Sequence, residues 1–170
     1  NVILEVEKAW KGETQVDNIL LTAPTGSGKS LLFQLPAIYL GKEYNLLTIV
    51  VSPLKALIVD QVESLQELGY TRVAYASSDL SPEQKMEVYR QVREGEIDLF
   101  YLSPELLLSY DIKHFVGERR IGLVVVDEAH TVTTWGKEFR VDYWFLGRYL
   151  TALKQTLGYN FPLFALTATA

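Results

Sequence analysis

The sequence has 170 residues, 48% of them apolar, with no cysteine and a formal net charge of −5. Its length and apolar content suit one globular domain and exclude a disordered chain, and the lack of cysteine excludes disulfides and thiolate metal sites. The acidic balance argues against a strongly basic nucleic-acid surface, but not against local phosphate contacts. No apolar run approaches roughly 20 residues and no signal peptide is visible, so we expect a cytoplasmic protein without a membrane partner.

The first elements of the chain are a helix, a loop, a strand and a second helix. Residues 1–10 place apolar and charged side chains at helical spacing, and the polar residues 11–18 predict a loop. The apolar run at residues 19–21 predicts a buried strand. After a loop of small residues, the apolar stretch 31–40 predicts a helix, which Pro36 should kink or end because proline lacks a backbone donor.

The loop between this strand and this helix, APTGSGKS at residues 23–30, has the pattern of a phosphate-binding loop. Glycines let backbone amides curl round a phosphate, and the helix that follows points the positive end of its dipole at the same anion. Lys29 is expected to contact the β- and γ-phosphates of ATP, and the Ser30 hydroxyl to bind Mg²⁺. The alternative is a glycine-rich turn with a surface lysine. The candidate ATP-binding residues are Pro24, Thr25, Gly26, Ser27, Gly28, Lys29 and Ser30.

The middle of the chain continues this alternation of apolar strands and amphipathic helices. Further strands are predicted at residues 46–51, 72–76, 97–102, 121–126 and 161–166. Strands that are solidly apolar and alternate with helices are typical of a mostly parallel sheet with helices on both faces. We therefore predict an α/β fold, and we expect a single domain because no linker-like stretch interrupts residues 1–170.

The helices carry recognisable start and stop signals. Ser81 and Gln84 form a capping box that begins one helix, which ends near Gly95, and Ser103 begins a short one in the same way. A helix at residues 142–157 should end at Gly158. The helix after the second strand should end at Gly69, and its buried face is predicted to hold Leu54, Leu57, Ile58, Leu65 and Leu68.

The string DEAH at residues 127–130 follows the most hydrophobic predicted strand. Because the ligand crevice of a parallel sheet lies at the carboxyl ends of its strands, Asp127 is placed to hold Mg²⁺, directly or through water. Glu128 can orient and deprotonate an attacking water. His130 is ambiguous by itself, but within this string we interpret it as coupling ATP to the neighbouring loop. The alternative is that the Asp–Glu pair only caps a helix.

The phosphate loop and the DEAH string together resemble a superfamily 2 helicase, specifically its first RecA-like domain. Further strings narrow the resemblance to the RecQ family of DNA helicases: residues 23–37, 51–61, 101–105 and 165–170 are similar to motifs I, Ia, Ib and III. The most specific string is residues 131–143. The resemblance implies a RecA-like P-loop NTPase domain, ATP and Mg²⁺ as cofactors, and Lys29, Glu128 and His130 as catalytic residues.

The resemblance also implies DNA, single-stranded or at a duplex junction, as a partner. It further implies a second RecA-like domain in the same full-length protein, so that this chain would be a fragment holding the ATP-binding lobe. The residues that it assigns to DNA binding or coupling are Ser52, Pro53, Leu54, Lys55, Ser103, Pro104, Glu105, Trp135, Lys137, Phe139, Arg140, Thr167 and Thr169.

The aromatic residues after the DEAH string support this assignment on physical grounds. Trp135 and Phe139 are large aromatics in a polar loop, and exposed aromatics can stack on unpaired bases. Lys137 and Arg140 can take phosphates or a carboxylate. The alternative is that Trp135 and Phe139 pack in the core beneath the loop.

Two other functions fit parts of this pattern. An RNA helicase or a duplex translocase fits the phosphate loop and the DEAH string equally well, whereas the tryptophan loop favours DNA unwinding. A non-catalytic scaffold is the second alternative. The intact Lys29, Ser30, Asp127 and Glu128 argue against it.

Overall fold

The fold is built on one parallel sheet. A computed structural model describes residues 2–13, 18–22, 28–127 and 142–167. Every strand pair in this part of the chain is parallel, and the strand order is β1-β6-β5-β2-β4-β3. The strands are β1 Ile19–Thr22, β2 Leu47–Val51, β3 Val73–Ala76, β4 Leu99–Leu102, β5 Ile121–Val126 and β6 Leu163–Thr167.

Seven helices accompany these strands in the described residues. They are α1 Val2–Trp10, α2 Leu31–Tyr44, α3 Lys55–Glu67, α4 Pro82–Arg93, α5 Pro104–Ser109, α6 Ile112–Val116 and α7 Asp142–Leu157. The helix α1 precedes β1, and the others lie between strands. The capping box of α4 is confirmed: the Gln84 amide donates to Ser81 Oγ at 3.1 Å, and the Ser81 amide donates to Gln84 Oε1 at 2.8 Å. The short α6 was not predicted, because five residues are too few to display helical periodicity. None of the described helices is long and apolar enough to cross a membrane.

Helices cover both faces of the sheet, as predicted. Side chains alternate along a strand, so neighbouring residues of one strand enter different apolar clusters. Ile49, Val51 and Phe100 pack with residues of α4, α5, α6 and α7, whereas Val50 and Tyr101 pack with residues of α1, α2 and α3. This double burial explains why the central strands are apolar at almost every position, and it confirms the predicted fold class.

Two of the sequence-based expectations about burial are wrong. The 19–21 run is not a buried strand: β1 lies at one end of the strand order, and Leu20 is 60% exposed. Leu54 and Leu68 do not lie on the buried face of α3, since they flank the helix and are 48% and 83% exposed. The residues of α3 that are fully buried are Ile58, Val62 and Leu65.

Pro36 does not end its helix. The helix α2 continues from Leu31 to Tyr44, with Pro36 inside it. The donor that proline lacks would have bonded the carbonyl of Leu32, a residue that is 50% exposed. Burial of Phe33, Ala37 and other residues on the opposite side of the helix offsets this loss.

Candidate functional site

The carboxyl ends of the central strands bring three sequence-predicted segments together. The Asp127 amide, directly after β5, donates to the Val51 carbonyl at 2.9 Å. The Ser52 amide, directly after β2, donates to the Leu102 carbonyl at 3.1 Å. Asp127, Ser52 and Ser103 therefore follow three adjacent strands at one edge of the sheet, where parallel α/β folds bind their ligands.

The end of the predicted phosphate loop leads into α2 with helical geometry. Gly28 has a φ of 75°, a left-handed conformation that glycine adopts without steric cost. Ser30 is the N-cap residue of α2, and its hydroxyl makes no capping hydrogen bond to that helix. Residues 23–27 lie outside the described part of the chain, so that of the candidate ATP-binding residues Gly28, Lys29 and Ser30 are described, whereas Pro24, Thr25, Gly26 and Ser27 are not.

A chain of side-chain hydrogen bonds ends on Asp127. Gln34 Nε2 donates to the Tyr101 hydroxyl at 3.0 Å, and that hydroxyl donates to Gln61 Oε1 at 2.7 Å. Gln61 Nε2 in turn donates to Asp127 Oδ2 at 3.4 Å. We call Gln34, Tyr101 and Gln61 the polar chain. The sequence motifs contained all three residues, but no role was predicted for them.

Burial raises the pKa of the hydroxyl at the centre of this polar chain. Tyr101 is 1% exposed, and desolvation is the main cause that raises the pKa of its hydroxyl above the ordinary value. The negative charge of Asp127 raises this pKa further, whereas the hydrogen bond from Gln34 lowers it. The Tyr101 hydroxyl is protonated at neutral pH even at its ordinary pKa, and burial extends that protonated state to higher pH, so that it acts as a donor to Gln61.

Lys55, a predicted DNA contact, is ion-paired in this structure. Its Nζ lies 3.0 Å from Asp79 Oδ1 and 3.0 Å from Ser78 Oγ. The Lys55 and Asp79 side chains are 47% and 72% exposed, and exposed pairs of this kind are weak. Of the neighbouring predicted contacts, Ser52 is buried, Pro53 is half-buried and Leu54 is exposed.

The remaining predicted contacts divide into buried residues, exposed residues and residues outside the description. Ser103 is buried and caps α5 by accepting a hydrogen bond from the Leu106 amide at 3.3 Å, and Pro104 is also buried. Glu105 is exposed, and Thr167 ends β6. The residues that lie outside the described part of the chain are Glu128, His130, Trp135, Lys137, Phe139, Arg140 and Thr169.

A signal for the polar chain existed in the sequence. Gln34 lies on α2 among residues that bury an apolar face, and it is only 5% exposed. Buried polar side chains need hydrogen-bond partners, so glutamines at core positions of apolar helices indicate a buried network. Their partners could not be read from the sequence, because Gln34 and Gln61 lie 67 and 40 residues from Tyr101.

Known proteins similar to this chain agree with its fold and motifs. The family model described as DEAD/DEAH box helicase matches residues 6–170. The chain is 42% identical over 156 residues to the ATP-dependent DNA helicase RecQ of Synechocystis sp., covering 89% of this chain and 31% of that protein. It is 34% identical over 167 residues to the ATP-dependent DNA helicase RecQ of Haemophilus influenzae, covering 94% of this chain and 25% of that protein. The chain thus spans less than a third of the length of either relative.

A solved structure has the same fold. The DUF1998 helicase MrfA bound to DNA has a TM-score of 0.69 with this chain and is 22% identical to it, over 98% of this chain and 22% of that one. At this level of identity the similarity shows a common fold. With the parallel sheet, it confirms the predicted fold class, whereas the family model and the RecQ relatives confirm the resemblance.

Proposed function

Because the chain belongs to the DEAD/DEAH box helicase family, we propose that it is the ATP-binding lobe of a RecQ-like DNA helicase that couples ATP hydrolysis to DNA unwinding. The observation that carries the proposal is that Asp127 and Ser52 directly follow the adjacent strands β5 and β2, with the Asp127 amide bonded to the Val51 carbonyl. Asp127 belongs to the predicted nucleotide site, and Ser52 belongs to a predicted DNA-contacting segment. A short path between the two sites is what a motor needs, since binding at one must change the other.

Within this proposal, the nucleotide site uses oxygen ligands for the metal. The Ser30 hydroxyl and the Asp127 carboxylate are hard donors that suit Mg²⁺, which takes few protein ligands beside water and phosphate oxygens. When bound, Mg²⁺ would neutralise charge on the β- and γ-phosphates.

The chain's own residues have distinct tasks in the proposed reaction. Lys29 binds the phosphates, and Glu128 takes a proton from the attacking water. His130 links the nucleotide site to the loop that follows. In that loop Trp135 stacks on an unpaired base, worth roughly 1–3 kcal/mol per base.

The DNA partner and a second lobe complete the proposal. We propose that the exposed Leu54, Lys55 and Glu105, with Lys137 and Arg140, line the DNA path. A second RecA-like domain of the full-length protein would close over the nucleotide. The length of the RecQ relatives, of which this chain covers 31% and 25%, supports that part of the proposal.

ATP hydrolysis by the full-length protein tests the proposal. We expect single-stranded DNA to stimulate hydrolysis and RNA of the same sequence not to do so. Glu128→Gln should retain Mg-ATP binding and lose about 100-fold or more in turnover, because an amide cannot accept the proton. Equal stimulation by RNA would indicate an RNA helicase, and ATP binding without hydrolysis by the unmodified protein would indicate a scaffold.

The Lys55–Asp79 ion pair gives a second prediction. Asp79→Asn should raise the affinity for single-stranded DNA about two- to fivefold at low salt, because it frees Lys55 from a weak surface pair. The slope of log affinity against log salt should steepen by about 0.7, since one more phosphate is neutralised. Fluorescence anisotropy measures both quantities.

Asp60→Asn, which removes an exposed carboxylate of α3, is the matched control and should leave the slope unchanged. Equal effects of the two changes would show that only net charge matters.

A further inference from the structure

The polar chain joins the two ends of the proposed nucleotide site. Gln34 lies one turn after Ser30 on α2, and its amide donates to the Ser30 carbonyl at 3.0 Å. At the other end, Gln61 donates to Asp127 Oδ2 at 3.4 Å. The elements that carry the two proposed Mg²⁺ ligands are thus connected through the Tyr101 hydroxyl.

All three hydrogen bonds point in the same direction. Gln34 donates to Tyr101, Tyr101 donates to Gln61, and Gln61 donates to the carboxylate. Bonds aligned in this way polarise one another and strengthen the last donor. A donor on one carboxylate oxygen also restricts rotation of the group, which leaves the other oxygen in a defined direction.

Gln61 connects the polar chain with the proposed DNA path. It lies on α3, which begins at Lys55, directly after the predicted DNA-contacting residues 52–54. Because α3 is a continuous helix, a displacement of its first turn moves Gln61 with it. The 3.4 Å separation between Gln61 and Asp127 is longer than an ordinary N–H···O hydrogen bond, so a small displacement toward Asp127 would strengthen the contact.

We propose that Gln61, held by Tyr101 and Gln34, is a positioning residue that orients the Asp127 carboxylate for Mg²⁺ and transmits DNA binding at the start of α3 to the nucleotide site. This inference rests on the proposed function. The alternative is that the polar chain serves only to satisfy the hydrogen bonds of buried polar groups. Gln61 is half-buried and within reach of water, so its amide does not need Asp127 for this purpose.

The test compares Gln61→Leu with Gln66→Leu in the full-length protein. Gln66 is an exposed glutamine of the same helix and gives the same chemical change. The first readout is binding of a fluorescent ATP analogue at increasing Mg²⁺ concentration. We expect Gln61→Leu to raise the Mg²⁺ concentration for half-maximal binding about tenfold, as for other residues that orient metal ligands. Binding in EDTA should not change, and Gln66→Leu should match the unmodified protein.

Two further variants test whether the residues act as a unit. Tyr101→Phe keeps the ring and removes the hydroxyl, so it should raise the Mg²⁺ requirement in the same direction as Gln61→Leu. The double variant, Tyr101→Phe with Gln61→Leu, should require no more Mg²⁺ than Gln61→Leu alone, because both changes interrupt the same polar chain. If the two changes raised the Mg²⁺ requirement additively, the residues of the polar chain would not act as a unit.

DNA-stimulated hydrolysis separates failure of this inference from failure of the proposed function. We expect stimulation by single-stranded DNA to fall at least about fivefold in Gln61→Leu at saturating Mg²⁺, by analogy with other supporting residues of metal ligands. If DNA stimulates the unmodified protein and Gln61→Leu behaves like Gln66→Leu, the positioning role is wrong and the helicase proposal stands. If DNA does not stimulate the unmodified protein, the helicase proposal itself is wrong.

Discussion

The Lys29→Ala variant is expected to lose ATP hydrolysis by about 100-fold or more while keeping its fold, because it removes a positive charge that stabilises the transferring phosphoryl group. Lys29 lies between Gly28, whose φ is 75°, and Ser30, the N-cap residue of α2. The backbone there is set by glycine and by the helix, not by the lysine side chain. Alanine should therefore leave the backbone conformation intact while it removes the ammonium group together with its methylene chain.

Lys42→Ala is the matched control for this experiment. Lys42 is an exposed lysine in the last turn of α2, at the opposite end of the helix from Lys29. Its removal changes net charge by the same amount and should leave hydrolysis within the error of the assay. Steady-state ATPase rates and thermal melting of both variants are the measurements. A Lys29→Ala rate within a few-fold of the unmodified protein would show that this loop does not bind the nucleotide.

The Asp98→Ala variant should lose about 3–5 kcal/mol in the free energy of unfolding, more than any of the other proposed variants. Asp98 is 2% exposed and forms ion pairs with two arginines at the amino end of β4. Arg72 Nε lies 2.6 Å from Asp98 Oδ2, and the buried Arg119 contacts Oδ1. Without this carboxylate, the charge of Arg119 would remain buried and uncompensated.

Two contacts explain why Arg119 cannot escape to water in that variant. Arg119 NH1 donates to the Val92 carbonyl at 3.1 Å and to the Ile97 carbonyl, and the side chain is 4% exposed. Arg72 differs, since its side chain is 44% exposed and can be hydrated. The cost of Asp98→Ala should therefore come mainly from Arg119, and Asp98→Asn combined with Arg119→Met should recover part of the stability.

Urea denaturation followed by circular dichroism measures the loss of stability. Glu87→Ala, which breaks an exposed pair with Arg90, is the control and should shift the midpoint much less. Asp98 lies at the amino end of β4, whereas the proposed nucleotide site lies at the carboxyl ends of the strands. The folded fraction of Asp98→Ala should therefore still bind nucleotide. A midpoint shift no larger than that of Glu87→Ala would contradict the structural role of the buried cluster.

The local features of this protein can be predicted from short stretches of its sequence. Strand positions, the capping box of Ser81 and Gln84 and the phosphate-loop pattern follow from residues that lie within a few positions of one another. Hydrophobic periodicity and capping act over one or two turns, so they can be read without knowing which elements meet. The family resemblance, from the same strings, was confirmed by the comparisons.

Which elements are neighbours depends on the packing of the whole fold. The order β1-β6-β5-β2-β4-β3 places β1 at an edge, which is why Leu20 is exposed although its sequence is that of a core strand. The same order brings Tyr101 on β4 between Gln34 and Gln61, and a surface turn places Asp79 beside Lys55. These contacts join residues 24 to 67 positions apart, and they arise from packing of whole helices against the sheet, which no local pattern encodes.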